Sequence, residues 1–198
     1  MSSRKIVHLG LSLLGVLLCS VSANAQAGEP NSSFATLDYS AIKRDLAVFQ
    51  GVVDTTVKQT VPGFLPLLGS TKGVYLPEYG VVFGLEVNLY RIRQLSPFDL
   101  RPHSQQELEE AYTLAVKRLD SIKENLIKVM GEHGSALGPL KLQDYLTVVV
   151  YLLPVETGTG RSLPSQMVMR AKRAVINDYR ENKLSFSEFA RKVELALF

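Results

Sequence analysis

The sequence predicts an α+β fold, an α/β sandwich in which a mixed, mostly antiparallel sheet of about four strands has helices packed on it, in the order α-β-β-α-β-β-α. Three observations predict it. Two long segments carry apolar residues at helical spacing. Two β-rich runs flank the turn tetrapeptide Pro77-Glu78-Tyr79-Gly80. A nearly continuous β-branched run follows the second helical segment, where a central strand would stand.

From Asp38 to Thr60, Ile42, Leu46, Phe49, Val53 and Val57 recur at spacings of three and four, one stripe on one helix face. The β-branched run from Val52 to Val57 has low helix propensity and argues against its second half. Pro62-Gly63 ends it, and residues 61–72 read as a loop. The period then changes to two. Gly73 to Leu76 and Val81 to Val87 are strands, and the Pro- and Gly-bearing tetrapeptide between them makes a hairpin. Val81, Phe83, Leu85 and Val87 share one face of the second strand.

Ser104-Gln105-Gln106-Glu107 is a capping box that opens the longest helix. Its stripe is Leu108, Ala111, Ala115, Leu119, Ile122, Leu126 and Val129; Gly131 and Gly134 are expected to loosen its end, with Gly138-Pro139 closing the region. Leu146 to Leu153 reads as a central strand covered by helices on both faces, with Val149 in its middle. After a loop from Pro154 to Pro164, Gln166 to Ala171 is a further strand and Ala174 to Glu181 a short helix. Ser185-Phe186-Ser187-Glu188 is a second capping box, opening a helix that runs to the chain end with Phe186, Phe189 and Val193 inward. No internal repeat or linker divides residues 38–198, which read as a single α/β domain.

The N-terminus carries an address. Arg4 and Lys5 precede an apolar run from Ile6 to Val21, and Ala23-Asn24-Ala25 is a small-x-small cleavage site. That order is a secretory signal peptide over residues 1–25, cut between Ala25 and Gln26, followed by a flexible leader over 26–37. The apolar run falls short of the roughly 17–25 residues of a spanning anchor. A lipobox is disfavoured because the branched Leu18 precedes Cys19. Localisation is therefore expected to be the periplasm or cell envelope. Cleavage takes Arg4 and Lys5 from 22 basic residues and none of the 19 acidic ones, leaving a formal charge of +1. So balanced a charge argues against nucleic acid as a partner. Cys19, the only cysteine, leaves with the signal, so disulfide and thiolate chemistry leave with it. The longest later apolar run, Leu146 to Val155, is strand-sized, and no transmembrane segment is expected after cleavage.

The segments LAVFQGVVDTTV (46–57), YLPEYGVVFGLEV (75–87), DYLTVVVYLLP (144–154) and LPSQMVMRAKRAVINDYRENKLSFSEF (163–189) resemble a set of uncharacterised exported bacterial proteins. That resemblance implies an architecture and an exported location, with no catalytic residue to carry over. The element order is also similar to roadblock-type and profilin-like modules, by analogy of order alone.

Candidate sites are sparse. His103 and His133 lie thirty residues apart without the close spacing of a metal pair, so no metal or cofactor is expected. Glu132 and His133 are adjacent and point to different sides of a helix, which suits a polar helix end better than an acid–base pair. The loop Glu156 to Ser162 has glycines and Arg161, yet a strand rather than a helix follows it, so it reads as a hairpin connection with Arg161 available to an anion. No Gly-x-Ser-x-Gly elbow occurs, and Lys192, Glu194 and Ala196 break the alternation that a terminal Phe198 would need as a barrel signature. The best polar cluster is Glu78 and Tyr79 in the turn with Glu86 on the next strand. Its two readings are a contact surface and a turn whose tyrosine packs on the sheet. Glu78, Tyr79, Glu86 and Arg161 are accordingly the candidate binding residues, with no catalytic set. The expected function is a non-enzymatic protein-interaction module, associating with itself or another envelope protein. A small-molecule sensor is the alternative, and a hydrolase using Glu78, Glu86 and Glu156 comes last.

Overall fold

A computed structural model describes residues 38–61, 67–90, 104–138, 140–153 and 161–198. The expected signal peptide and leader, His103 and Glu156 lie outside the described residues. Helix α1, Tyr39–Thr60, begins where the Asp38 carboxylate accepts the amides of Ser40 and Ala41 at 3.0 Å. Its buried stripe is the expected one, and the β-branched run stays helical because Val53 and Val57 are enclosed by the core. Burial of that face outweighs the local propensity. At the C-terminal half, Asp54 accepts both the amide and the hydroxyl of Thr71, at 2.9 and 2.6 Å, while Gln50 donates to the Thr71 carbonyl at 2.8 Å. These three bonds fix the entry to the sheet.

Strands β1 (Lys72–Leu76) and β2 (Gly80–Val87) are antiparallel, and α2 (Gln105–His133) then carries the chain over to β3 (Tyr145–Leu152), parallel to β2. Strand β4 (Gln166–Lys172) returns antiparallel, α3 (Arg173–Arg180) and α4 (Phe186–Lys192) follow, and β5 (Glu194–Leu197) pairs antiparallel with β4. The sheet runs β1-β2-β3-β4-β5, mixed and mostly antiparallel, with β3 at its centre. Both capping boxes form as expected.

The helices share one face of the sheet. Phe49 of α1 lies 4.6 Å, ring to ring, from Phe83 of β2, and the α2 stripe from Ala115 to Met130 joins the same core. Gly131 does not loosen α2. It sits within the helix, where a Cβ would meet the rings of Tyr179 (2.7 Å) and Phe189 (2.9 Å), so glycine there lets α3 and α4 close on α2. The helix tightens into a 3-10 turn at Gly134–Ala136, and its freed carbonyls are taken by Arg173, which donates to Gly134, Leu137 and Ser135 at 2.7–2.9 Å.

Two further expectations need correction. Val149 is not covered by helices on both sides: it points away from α1 and α2, between Gly84 and Val168 on the neighbouring strands. Its burial to 9% therefore involves no described helix. The terminal helix also stops at Lys192. Val193 turns extended, and Glu194–Leu197 becomes a fifth strand because the open edge of β4 offers backbone partners that a continued helix would leave unmade.

A trough across the second sheet face

Strand alternation and register together arrange the second sheet face in rows. One row reads Lys72, Gly84, Val149, Val168, Ala196 across all five strands. Beyond Lys72 its four members are small or β-branched. On one side stands the row Val74, Val82, Thr147, Arg170, Glu194; on the other stand Glu86, Tyr151 and Gln166, with Phe198 bonded to Gln166. The low middle row is a trough about 19 Å long, four inter-strand spacings of roughly 4.8 Å. A cavity of about 270 Å³ lies at its β2 end, lined by Leu68, Lys72, Gly84, Glu86 and Tyr151 among others. Another of about 310 Å³ lies at its β5 end, against Tyr79, Val168, Arg170, Ala196 and Phe198.

The turn residue Tyr79 builds one wall. Glu78 takes the left-handed conformation (φ 65°) and Gly80 has φ 125°, where a Cβ would strike the Tyr145 carbonyl oxygen. That backbone path folds Tyr79 back over the sheet. Its hydroxyl hydrogen-bonds Thr147 Oγ1 at 2.9 Å, and its ring stacks on Tyr145 at 5.8 Å. Arg170 completes the wall, with its guanidinium 4.9 Å from the Tyr145 ring centre and 2.7 Å from the Glu194 carboxylate. The Glu194 hydrogen bond first, and that to Tyr79 second, favour the charged guanidinium. Thr147, otherwise a buried polar side chain at 3% exposure, is satisfied by Tyr79.

The four candidate binding residues do not form one site. Tyr79 belongs to the trough wall. Glu78 points into solvent, its side chain 80% exposed and 3.8 Å from Lys141 Nζ. Glu86 lies at the other end of β2, about 20 Å along the strand at roughly 3.3 Å per residue, well beyond the spacing of a paired-carboxylate catalyst. Arg161 is engaged by Glu109 of α2 at 2.7 Å and lies 6.0 Å from the Tyr112 ring centre, so the anion-binding reading of its loop has a protein carboxylate in the anion's place. Among the described residues no three His, Asp or Glu side chains converge as metal ligands. His133 is an exposed residue at the end of α2.

Sequence reasoning missed Thr147, Tyr145, Arg170 and Glu194. The alternation of Gln166, Val168 and Arg170 was visible in β4, but the row they join is assembled from strands far apart in sequence. Among the described residues, no helix is long and apolar enough to cross a membrane. No protein family, curated protein or solved structure matches the chain.

Proposed function

We propose that this chain is an exported, non-enzymatic protein-interaction module of the cell envelope whose trough receives an extended or helical segment of another protein. The observation that carries the reading is the trough itself. Its floor is apolar, its walls present Tyr79, Tyr151, Arg170 and Phe198, and no described helix covers it. Tyrosine and arginine around an apolar floor are the residue types that dominate contact energetics. Exposed Val74 in that wall row and Leu76 beyond it, at 49% and 42%, extend the apolar area. The export part rests on the three-part N-terminal segment, and N-terminal sequencing of the stable cellular form should begin at Gln26.

The contact reading is tested by capture from envelope extracts with the tagged chain. Gly84→Gln with Val168→Gln places two longer side chains in the floor; at Gly84 a Cβ meets only the Tyr151 ring, at an ordinary 3.7 Å. Capture should be lost with little change in melting temperature. Unchanged capture by a folded double variant would refute the trough as the contact site. A second reading, a small-molecule-binding module, draws on the cavity beside Lys72 and Glu86; at about 270 Å³ it sits just below the usual 300–1,000 Å³ of ligand pockets.

A further inference from the structure

β5 is an edge strand, and no described strand lies beyond it. Phe198 N–H donates to the Gln166 carbonyl at 3.0 Å and Gln166 N–H donates back at 3.3 Å, so these two residues form a hydrogen-bonded pair. Such pairs alternate along an antiparallel ladder. Ala196 and Glu194 therefore also turn their backbone groups toward β4, and the N–H and C=O groups of Leu195 and Leu197 point outward. We propose that this edge pairs antiparallel with β5 of a second copy, about a twofold axis through Ala196.

That register uses all four outward groups. Leu195 exchanges both its bonds with the partner's Leu197, Leu197 does so with the partner's Leu195, and Ala196 faces the partner's Ala196 across the axis. An isologous contact of this kind closes on itself and builds a dimer rather than a fibre. Side chains agree with the backbone. On the helix side, Leu195 and Leu197 are 45% and 53% exposed and would meet their counterparts. On the trough side, Phe198, 67% exposed, falls opposite the partner's Glu194, beside the cavity of about 310 Å³ that Tyr79, Val168 and Arg170 line. The charges agree too. Glu194 is the only charged side chain of β5, and Arg170 already holds it at 2.7 Å, so the side chains of the strand bring no unpaired charge to the seam. Of the devices that keep an edge from pairing, Glu194–Leu197 has no lysine and no proline, and its one charge, Glu194, stands at the end of a short strand. The same register aligns the trough floors of both copies into one groove, because Ala196 is the floor residue of β5.

The contact is small, near or below the roughly 1,200 Å² of stable interfaces, so the dimer should be concentration-dependent. This pairing goes beyond the interaction reading and does not depend on it. The experiment uses the full chain with Cys19→Ser, which leaves an introduced thiol as the only one. A non-hydrogen-bonded pair sets its Cα atoms about 4.5 Å apart, within the roughly 4.4–6.8 Å that a disulfide spans. Ala196→Cys should therefore cross-link to a dimer under mild oxidation. Leu195→Cys alone, displaced by two residues from its counterpart, should not, whereas a mixture of Leu195→Cys and Leu197→Cys should give a mixed dimer. In sedimentation, Leu197→Pro should weaken dimerisation at least tenfold while keeping the far-UV spectrum, since its outward N–H is not used by β4; Leu197→Lys is the companion variant should proline unfold the chain. A parent that stays monomeric at every concentration overturns the pairing, and so does Leu195→Cys cross-linking as fast as Ala196→Cys. A monomer that still captures an envelope protein overturns this inference alone; a dimer that captures none overturns the trough reading alone.

Discussion

Replacing Tyr79 separates a tyrosine that serves the fold from one that only meets a partner. The ring is half-buried, stacked on Tyr145 at 5.8 Å, and its hydroxyl hydrogen-bonds the buried Thr147 hydroxyl at 2.9 Å. Tyr79→Phe keeps the ring and leaves Thr147 unpaired, which costs about 1–2 kcal/mol. Tyr79→Ala also loses the ring pair, worth about 0.5–1.5 kcal/mol, and some apolar burial, for a total of about 2–4 kcal/mol. For a domain of this size each kcal/mol moves the melting temperature by roughly 2–4 °C. Glu78→Ala should shift stability by less than about 1 kcal/mol, because its ion pair with Lys141 is long and exposed. Urea unfolding followed by circular dichroism gives all three values, and a cycle of Tyr79→Phe with Thr147→Val should return a coupling of about 0.5–1.5 kcal/mol. Equal midpoints for parent and Tyr79→Ala would refute the packing argument and return Tyr79 to the role of a free contact residue.

Four further outcomes follow from burial and capping. Val148→Asp, on the helix side at 0% exposure, should unfold the domain, whereas Val149→Asp, on the face that no described helix covers, should leave it folded with a lower midpoint; thermal melts that rank them the other way refute the facing of β3. Ser185→Ala should cost about 1 kcal/mol by removing the α4 cap, read from urea midpoints. Ser185 also holds the Glu188 carboxyl below its ordinary value of 4.5, so the stability from this pair is present above that pH and is lost as pH falls through the lowered value; Glu188→Gln should flatten that part of the acid profile. Tyr90, at 4% exposure, has a buried hydroxyl with no hydrogen-bond partner among the described residues, and Tyr90→Phe should raise stability by about 1 kcal/mol in the same assay.

Helices α1 and α2 were legible because their stripes repeat at helical spacing over six turns or more, long enough for the pattern to outweigh the β-branched run in α1. β3 was legible as the central strand, but its unbroken apolar run hid the period of two, and with it the fact that Val149 and Val148 face different surroundings. β5 was not legible. Glu194-Leu195-Ala196-Leu197 follows a capped helix and is made of good helix formers; its strand state is set by the open edge of β4, a tertiary condition absent from any local window. For the same reason the turn drew attention to Glu78 and Tyr79 together, although one backbone step sends the first into water and the second across the sheet.

The composition of the trough floor argues that the second sheet face is more than a solvated surface. A sheet with one face in water tends to alternate apolar inward and polar outward residues. Here the outward positions along the middle row from β2 to β5 are Gly84, Val149, Val168 and Ala196, with Lys72 at its β1 end, while most other polar outward residues stand in the rows beside it. Arg170 is the charged side chain nearest the centre of the wall, and it is tied to Glu194, Tyr79 and the Tyr145 ring rather than left to reach into the floor. The floor thus stays apolar and low while its walls are stiffened by hydrogen bonds and stacked rings. Such pre-organisation lowers the entropy that a partner must offset on docking. The helices supply the stability that allows it, through the core they build with Val81, Phe83, Val148, Val150, Met167 and Met169 on the other side of the sheet.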